Sequence, residues 1–175
     1  MLDTLISSKT RLKLLLKFFL NARSRAYLRS LEQEFGESSN AIRLELNKFE
    51  EAGMLESAIE GNKKVFTANR THPLYENLHG MVMKYVGLDH IVESITEKLG
   101  HLRKVYLVGD YAKGIDTGII DLVLIGTHLD YEYLVNLIKK VEAEICRKVR
   151  YVDYPTEEDI NIPLEEQAHL LLWES

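Results

Sequence analysis

The chain has 175 residues, 46% of them hydrophobic and 28% charged, the balance of a folded globular protein with room for one large domain or two small ones. Its longest apolar stretches are broken by lysine, which excludes a membrane span, and Arg11, Lys13 and Lys17 inside the first apolar segment exclude a secretory-signal layout. The formal net charge is −5, and the single cysteine, Cys146, excludes an internal disulfide and makes a reducing cytoplasm the expected compartment.

From Ser8 to Leu20, the residues Leu12, Leu15, Leu16, Phe19 and Leu20 recur at helical spacing, with Lys13 and Lys17 on the wet side. Arg25 to Phe35 repeats the pattern through Leu28, Leu31 and Phe35, and Gly36 opens a short polar turn. Ser38 to Gly53, S-S-N-A-I-R-L-E-L-N-K-F-E-E-A-G, follows as a second helix. Ser38 caps its start and Gly53 its end, while Ile42, Leu46, Phe49 and Ala52 form one apolar face. The opposite face carries Ser39, Asn40, Arg43 and Asn47, groups suited to base edges in a major groove, where Arg matches guanine and Asn matches adenine.

By itself this segment reads more readily as an amphipathic helix with an ordinary solvated face; its neighbours reverse that reading. Met54–Ala58 and Lys64–Ala68 are strand-like runs separated by E-G-N-K, where Gly61 and Asn62 supply hairpin turn chemistry. A hairpin directly after such a helix is a wing, and its tip offers Asn62, Lys63 and Lys64 to phosphates.

The segment A-Y-L-R-S-L-E-Q-E-F-G-E-S-S-N-A-I-R-L-E-L-N-K-F-E-E-A-G-M-L-E-S resembles the winged helix-turn-helix domain of ArsR-like bacterial transcription regulators, over residues 8 to 70. The resemblance implies a regulator that binds double-stranded DNA as a homodimer on a two-fold symmetric site. Ser38, Ser39, Asn40, Arg43, Asn47, Asn62, Lys63 and Lys64 are then its expected DNA contacts. Metal-sensing members carry paired cysteines near the recognition helix, which this chain lacks, so no metal is expected.

Residues 1–70 hold 12 Lys and Arg against 9 Asp and Glu, whereas residues 71–175 hold 10 against 18. The basic bias is modest, and Glu45, Glu50 and Glu51 weaken the helix as a DNA ligand, so a dimer presenting two helices is expected.

After the break N-R-T-H-P (Asn69 to Pro73), apolar residues from Leu74 to Leu99 run at helical spacing, kinked or divided at Gly87. This connecting segment, residues 71–100, either pairs two subunits or braces the two domains. The six histidines (72, 79, 90, 101, 128 and 169) show no metal-ligand spacing.

Residues 101–175 alternate strands and helices: strand-like Lys104–Val108, Asp121–Ile125, Val149–Tyr154 and His169–Trp173, an amphipathic helix Tyr131–Lys148, and a short acidic helix capped by Thr156. The expected fold class is α+β, a winged helix-turn-helix, connecting helices and a small mixed-sheet domain.

Within the last domain V-G-D-Y-A-K-G-I-D-T-G-I-I-D-L-V-L-I-G (Val108 to Gly126) resembles the signature of minimal nucleotidyltransferases of the polymerase-β superfamily. That signature runs Gly-Ser, two residues, Arg-Gly, a loop, then Ser-Asp-x-Asp-Leu. It implies a glycine turn cradling nucleotide phosphates and two strand carboxylates, joined by a third, holding paired magnesium ions. Gly109, Ala112, Gly114, Asp121 and Leu122 match, and Lys113 replaces Arg. Asp110 stands where the phosphate-binding Ser belongs, Ile119 replaces the first carboxylate, and the loop is about two residues short. Asp153 is the candidate third carboxylate and Asp116 a candidate substitute from the loop.

Two carboxylates without the bridging one hold a magnesium pair poorly, so the domain is expected to have lost the reaction and to carry no cofactor. Gly109, Asp110, Lys113, Asp121 and Asp153 remain as a candidate crevice for a small-molecule effector. An active transferase and an antitoxin-like or scaffold module for protein partners are the competing functions.

Overall fold

The computed structural model describes residues 2–161 and 167–175. The chain is α+β, with two sheets, and divides into two compact units, Met1–Tyr85 and Val86–Ser175.

The first unit is built around α2 (Lys9–Phe19), which follows the short α1 (Leu2–Leu5). Leu14, Leu15, Leu16, Phe18, Phe19 and Leu20 are all buried, so α2 is apolar nearly all round and forms the core, not one wall of it. Lys17, expected on the wet side, is buried too, because its ammonium lies 2.8 Å from Glu34. Lys13 donates to Glu37 at 2.8 Å and to the Phe35 carbonyl at 2.9 Å. The two lysines therefore tie α2 to the end of α3 (Leu28–Phe35) and the turn after it.

Helix α3 starts at Leu28 and not at Arg25, because Ala26–Tyr27 form a short strand, β1, paired antiparallel with Phe66 and Val65. Gly36 ends α3 with φ +64°. In α4 (Ser39–Glu51) the Ser38 hydroxyl accepts from the Ala41 N–H at 3.3 Å. At the other end Gly53 has φ +70°, its N–H bonds to the Glu50 carbonyl, and the Met54 N–H reaches the Phe49 carbonyl, which is the Schellman arrangement. Ala52 lies past the last helical turn and is exposed, not on the buried face.

Strands β2 (Leu55–Glu60) and β3 (Lys63–Ala68) form the hairpin, and the sheet order is β1-β3-β2. Both strands run closer to the turn than the sequence pattern indicates. Only Gly61 and Asn62 separate them, with Gly61 at the first turn position at φ +61°.

Two helices occupy the connecting segment, α5 (Tyr75–Val86) and α6 (Leu88–Lys98), divided at Gly87. Gly87 has φ +90°, and a β-carbon there would lie 2.5 Å from Cγ2 of Ile145.

The second unit continues with β4 (His101–Val108), the single-turn α7 (Gly109–Ala112), β5 (Ile119–Thr127), α8 (Tyr131–Ile145) and β6 (Lys148–Tyr154). A 3₁₀ turn at Glu157–Asp159, capped by Thr156, and β7 (Leu170–Glu174) complete it. The sheet order is β6-β5-β4-β7; β5 and β6 run parallel, joined through α8, and the other pairs are antiparallel. Ile120, Leu122 and Leu124 bury one face of β5, while Val123 and Ile125 bury the other with Val108, Tyr106, Tyr154 and Ile160 around them.

Candidate functional site

In the first unit, α4 buries Ile42, Leu46 and Phe49 and leaves Asn40, Arg43 and Asn47 exposed, with Ser39 partly so. Positions 40, 43 and 47 follow one stripe of the helix, and the Arg43 guanidinium donates to the Asn40 amide oxygen at 3.4 Å. Leu44 lies beside this stripe at 61% exposure, an apolar group among polar ones that periodicity alone assigned to neither face. A thymine methyl is the base feature that an exposed aliphatic side chain recognises.

Two of the three acidic residues on α4 do not burden that surface. Glu45 points inward: Arg11 donates to both its oxygens, Nε–Oε2 2.7 Å and NH2–Oε1 3.2 Å, and Lys48 lies 3.3 Å away. Burial pushes the Glu45 carboxyl up, yet the hydrogen bonds and charges of Arg11 and Lys48 outweigh it and hold the group below the usual carboxylate range. Glu50 accepts from Lys64 at 2.6 Å and from the Ser57 hydroxyl, and is lowered by those bonds. Glu51 alone stays exposed with its charge toward solvent.

Two of the three hairpin residues expected to contact phosphates already have partners within the unit. Lys64 is held by Glu50 and lies over the Phe66 ring, 5.0 Å from its centroid. Lys63 stands over the Tyr27 ring at 4.3 Å and lines a shallow hollow with Arg25, Glu60 and Asn62. Arg25 was missed in the sequence, because only the pairing of β1 with β3 brings it beside the wing tip; its guanidinium pairs with Glu60.

In the second unit, Gly109 follows β4 with φ +70°, and a β-carbon on it would lie 2.8 Å from Asp121 Oδ2. The glycine turn and the strand carboxylate are thus adjacent. Asp121, however, is engaged: Arg150 donates from Nε to Oδ1 at 2.6 Å and from NH2 to Oδ2 at 2.9 Å. Asp121 and Arg150 are register partners in the parallel β5–β6 pair, so the arginine is the neighbour that the sheet itself supplies. Hydrogen bonding to Asp121, and then its charge, raises the Arg150 guanidinium further above its ordinary value.

The other candidates lie apart from Asp121 or are spent elsewhere. Asp153 pairs in register with Leu124, three positions along β5 from Asp121, so strand alternation sends the two carboxylates to opposite faces of the sheet. Asp153 instead accepts from the Tyr131 hydroxyl at 2.6 Å. Asp116 accepts from the buried Tyr111 hydroxyl, from Arg147 NH2 at 2.9 Å and from the Gly118 N–H at 3.2 Å, while Arg147 Nε donates to the Tyr111 oxygen at 2.7 Å. Burial raises Asp116, but Arg147 and Tyr111 more than reverse it, and the Tyr111 hydroxyl is pushed well up by burial and by Asp116. Asp110 lies 3.5 Å from Lys113 on the exposed rim.

Gly109, Asp110, Lys113 and Asp121 therefore cluster at one end of β4 and β5, and Asp153 does not join them. Nor do these residues fit a magnesium pair. One strand carboxylate is tied bidentately to arginine, and the residue two before it on the same strand, Ile119, has no oxygen ligand to offer.

No protein-family model and no curated protein matches the chain. Solved structures similar to it include a mutant form of the toxin–antitoxin MntA–HpeT, at 20% identity over 50% of this chain and 73% of that one, with a TM-score of 0.40. A tri-AMPylated HEPN toxin of Shewanella oneidensis in complex with MNT antitoxin gives 21% identity, 53% and 74% coverage and a TM-score of 0.39. Reduced HlyU from Vibrio cholerae gives 17% identity, 50% and 83% coverage and a TM-score of 0.38. Each is a partial likeness of backbone shape.

Proposed function

We propose that this chain is a DNA-binding transcription regulator that works as a homodimer, with a winged helix-turn-helix at residues 1–70 and a nucleotidyltransferase-like domain at residues 101–175 that has lost its reaction. The observation that carries this proposal is the exposed stripe of α4, Asn40, Arg43 and Asn47 with Leu44 beside them, on a helix anchored by its opposite face. Arg43 and the two asparagines supply base-edge donors and acceptors, and Lys63 and Asn62 at the wing supply phosphate contacts that set register. With Glu45 and Glu50 internally paired, the repulsion facing DNA from α4 is smaller than its composition indicates.

The loss of the transferase reaction is supported by Arg150, which fills the coordination positions of Asp121. Incubation with labelled ATP and Mg²⁺ tests it: no Asp121-dependent labelling is expected of the protein or of DNA, and labelling abolished by Asp121→Asn would restore the enzymatic alternative.

DNA binding is tested by anisotropy at low salt on the region upstream of the chain's own reading frame. Specific binding that Arg43→Ala weakens by about 1–3 kcal/mol is expected. Docking of a protein partner, as in an antitoxin-like or scaffold role, draws on a different observation: Val152 and Leu171 stand 42% and 43% exposed on the two edge strands of the second sheet. A stable complex with a second protein that survives Arg43→Ala and loses affinity with Val152→Asp would favour that role.

A further inference from the structure

Behind α4, on the side away from the exposed stripe, the first unit contains an apolar cavity of about 290 Å³. Leu15 and Phe49 are buried in its lining, and Met54, Leu78 and Met81 stand partly exposed along it. The polar part of the lining is the Arg11–Glu45–Lys48 group, two cations against one carboxylate. Its volume is close to the lower end of the roughly 300–1,000 Å³ of small-molecule pockets, and its mixture of apolar lining with a few convergent polar groups is the usual composition of such pockets.

We propose that this cavity binds a small amphipathic monoanion, an apolar body carrying one carboxylate. The apolar lining takes the body, and flexible methionines adapt to its shape. The head is specified by charge: Glu45 pairs bidentately with Arg11 and lies 3.3 Å from Lys48, so one carboxylate faces two cations, and Lys48, 58% exposed, has donors to spare. One added carboxylate would balance the second cation. A neutral head leaves that charge unmatched, and a cationic head adds a third. Because Glu45 and Lys48 lie on α4, an occupant is in contact with the helix that carries Arg43 and Asn47.

The test is calorimetric titration of the full chain with octanoate, and with octanol as the neutral control of equal length. Octanoate is expected to bind one per chain, several-fold more tightly than octanol. Lys48→Met, an exposed change that leaves Glu45 paired to Arg11, is expected to weaken octanoate roughly fivefold and to leave octanol unchanged, the scale of one half-exposed charge contact. Met81→Trp, which narrows the cavity, is expected to weaken binding of both. Absence of octanoate binding, equal affinity for octanol, or octanoate binding indifferent to Lys48→Met overturns the proposal, and the Lys48 result decides it if Met81→Trp does not fold. None of these readouts involves DNA, so the cavity and the proposed role of α4 stand or fall separately.

Discussion

Arg150 stands beside Asp121 in the parallel pairing of β5 and β6, and its two N–H groups take both carboxylate oxygens. Arg150 is 66% exposed at its side chain, so solvent screens the pair and its effect is on what Asp121 is able to coordinate. Arg11 and Glu45 form the more consequential pair. Arg11 is 42% exposed and Glu45 only 10%, so Arg11→Met, which leaves the buried carboxylate with Lys48 as its one cation, is expected to cost about 1–3 kcal/mol in urea unfolding, between the values for exposed and fully buried pairs.

The pH dependence follows from the same group. Glu45 is held below its ordinary value in the folded state, so its contribution is fully present above about pH 4.5 and is lost as pH falls through the lowered folded value. Asp116 acts in the same direction in the second unit. Stability measured from pH 6 to pH 3 should therefore fall, and Glu45→Gln should flatten that fall while lowering stability at pH 6; an unchanged slope contradicts the assignment. At the surface, Lys63→Ala should weaken DNA binding uniformly across sequences and reduce the salt slope by about one, whereas Asn47→Ala should relax sequence preference.

Among the elements, the glycines at chain reversals make quantitative predictions. Gly61 and Gly87 both have positive φ, but a β-carbon at Gly61 meets open space and one at Gly87 meets Ile145 at 2.5 Å. Gly61→Ala is expected to cost about 1 kcal/mol, the left-handed penalty alone, and Gly87→Ala about 2–4 kcal/mol because overpacking is added. Adding Ile145→Ala to Gly87→Ala should recover part of the difference in a double-mutant cycle, and strict additivity would show that the clash is absent. These reversals also mark what the sequence made legible. Helices α4, α5, α6 and α8, the hairpin and the strands of the second unit carry periodicity or turn chemistry long enough to read. Strand β1 and helix α7, with two and four residues, are too short for a periodic signal. The burial of Lys17 depends on Glu34, a residue in another helix, and the capture of Asp121 depends on the register of β6, so neither follows from local pattern. Asp153 was legible as a carboxylate on a late strand, but its face was set by that same register.

Over the whole molecule, charge is divided along the chain: the excess of Lys and Arg lies within residues 1–70 and the acidic excess after them, for a net of −5. Pairing inside the first unit leaves that division unchanged, because Arg11 and Lys64 are engaged together with Glu45 and Glu50, and on α4 it leaves Glu51 exposed. Binding that rests on few phosphate-contacting cations should be moderate for one subunit, with a salt slope of about one per cation engaged, and should gain strongly from two subunits on one site. The most direct measurement is selection of bound duplexes from a random DNA pool at low salt, read by sequencing for the natural chain and for Arg43→Ala. The account predicts an enriched motif of two symmetric half-sites about one helical turn apart, lost or degraded by Arg43→Ala. A pool that stays random with the natural chain, or the same motif enriched undiminished by Arg43→Ala, would contradict the claim that α4 reads DNA.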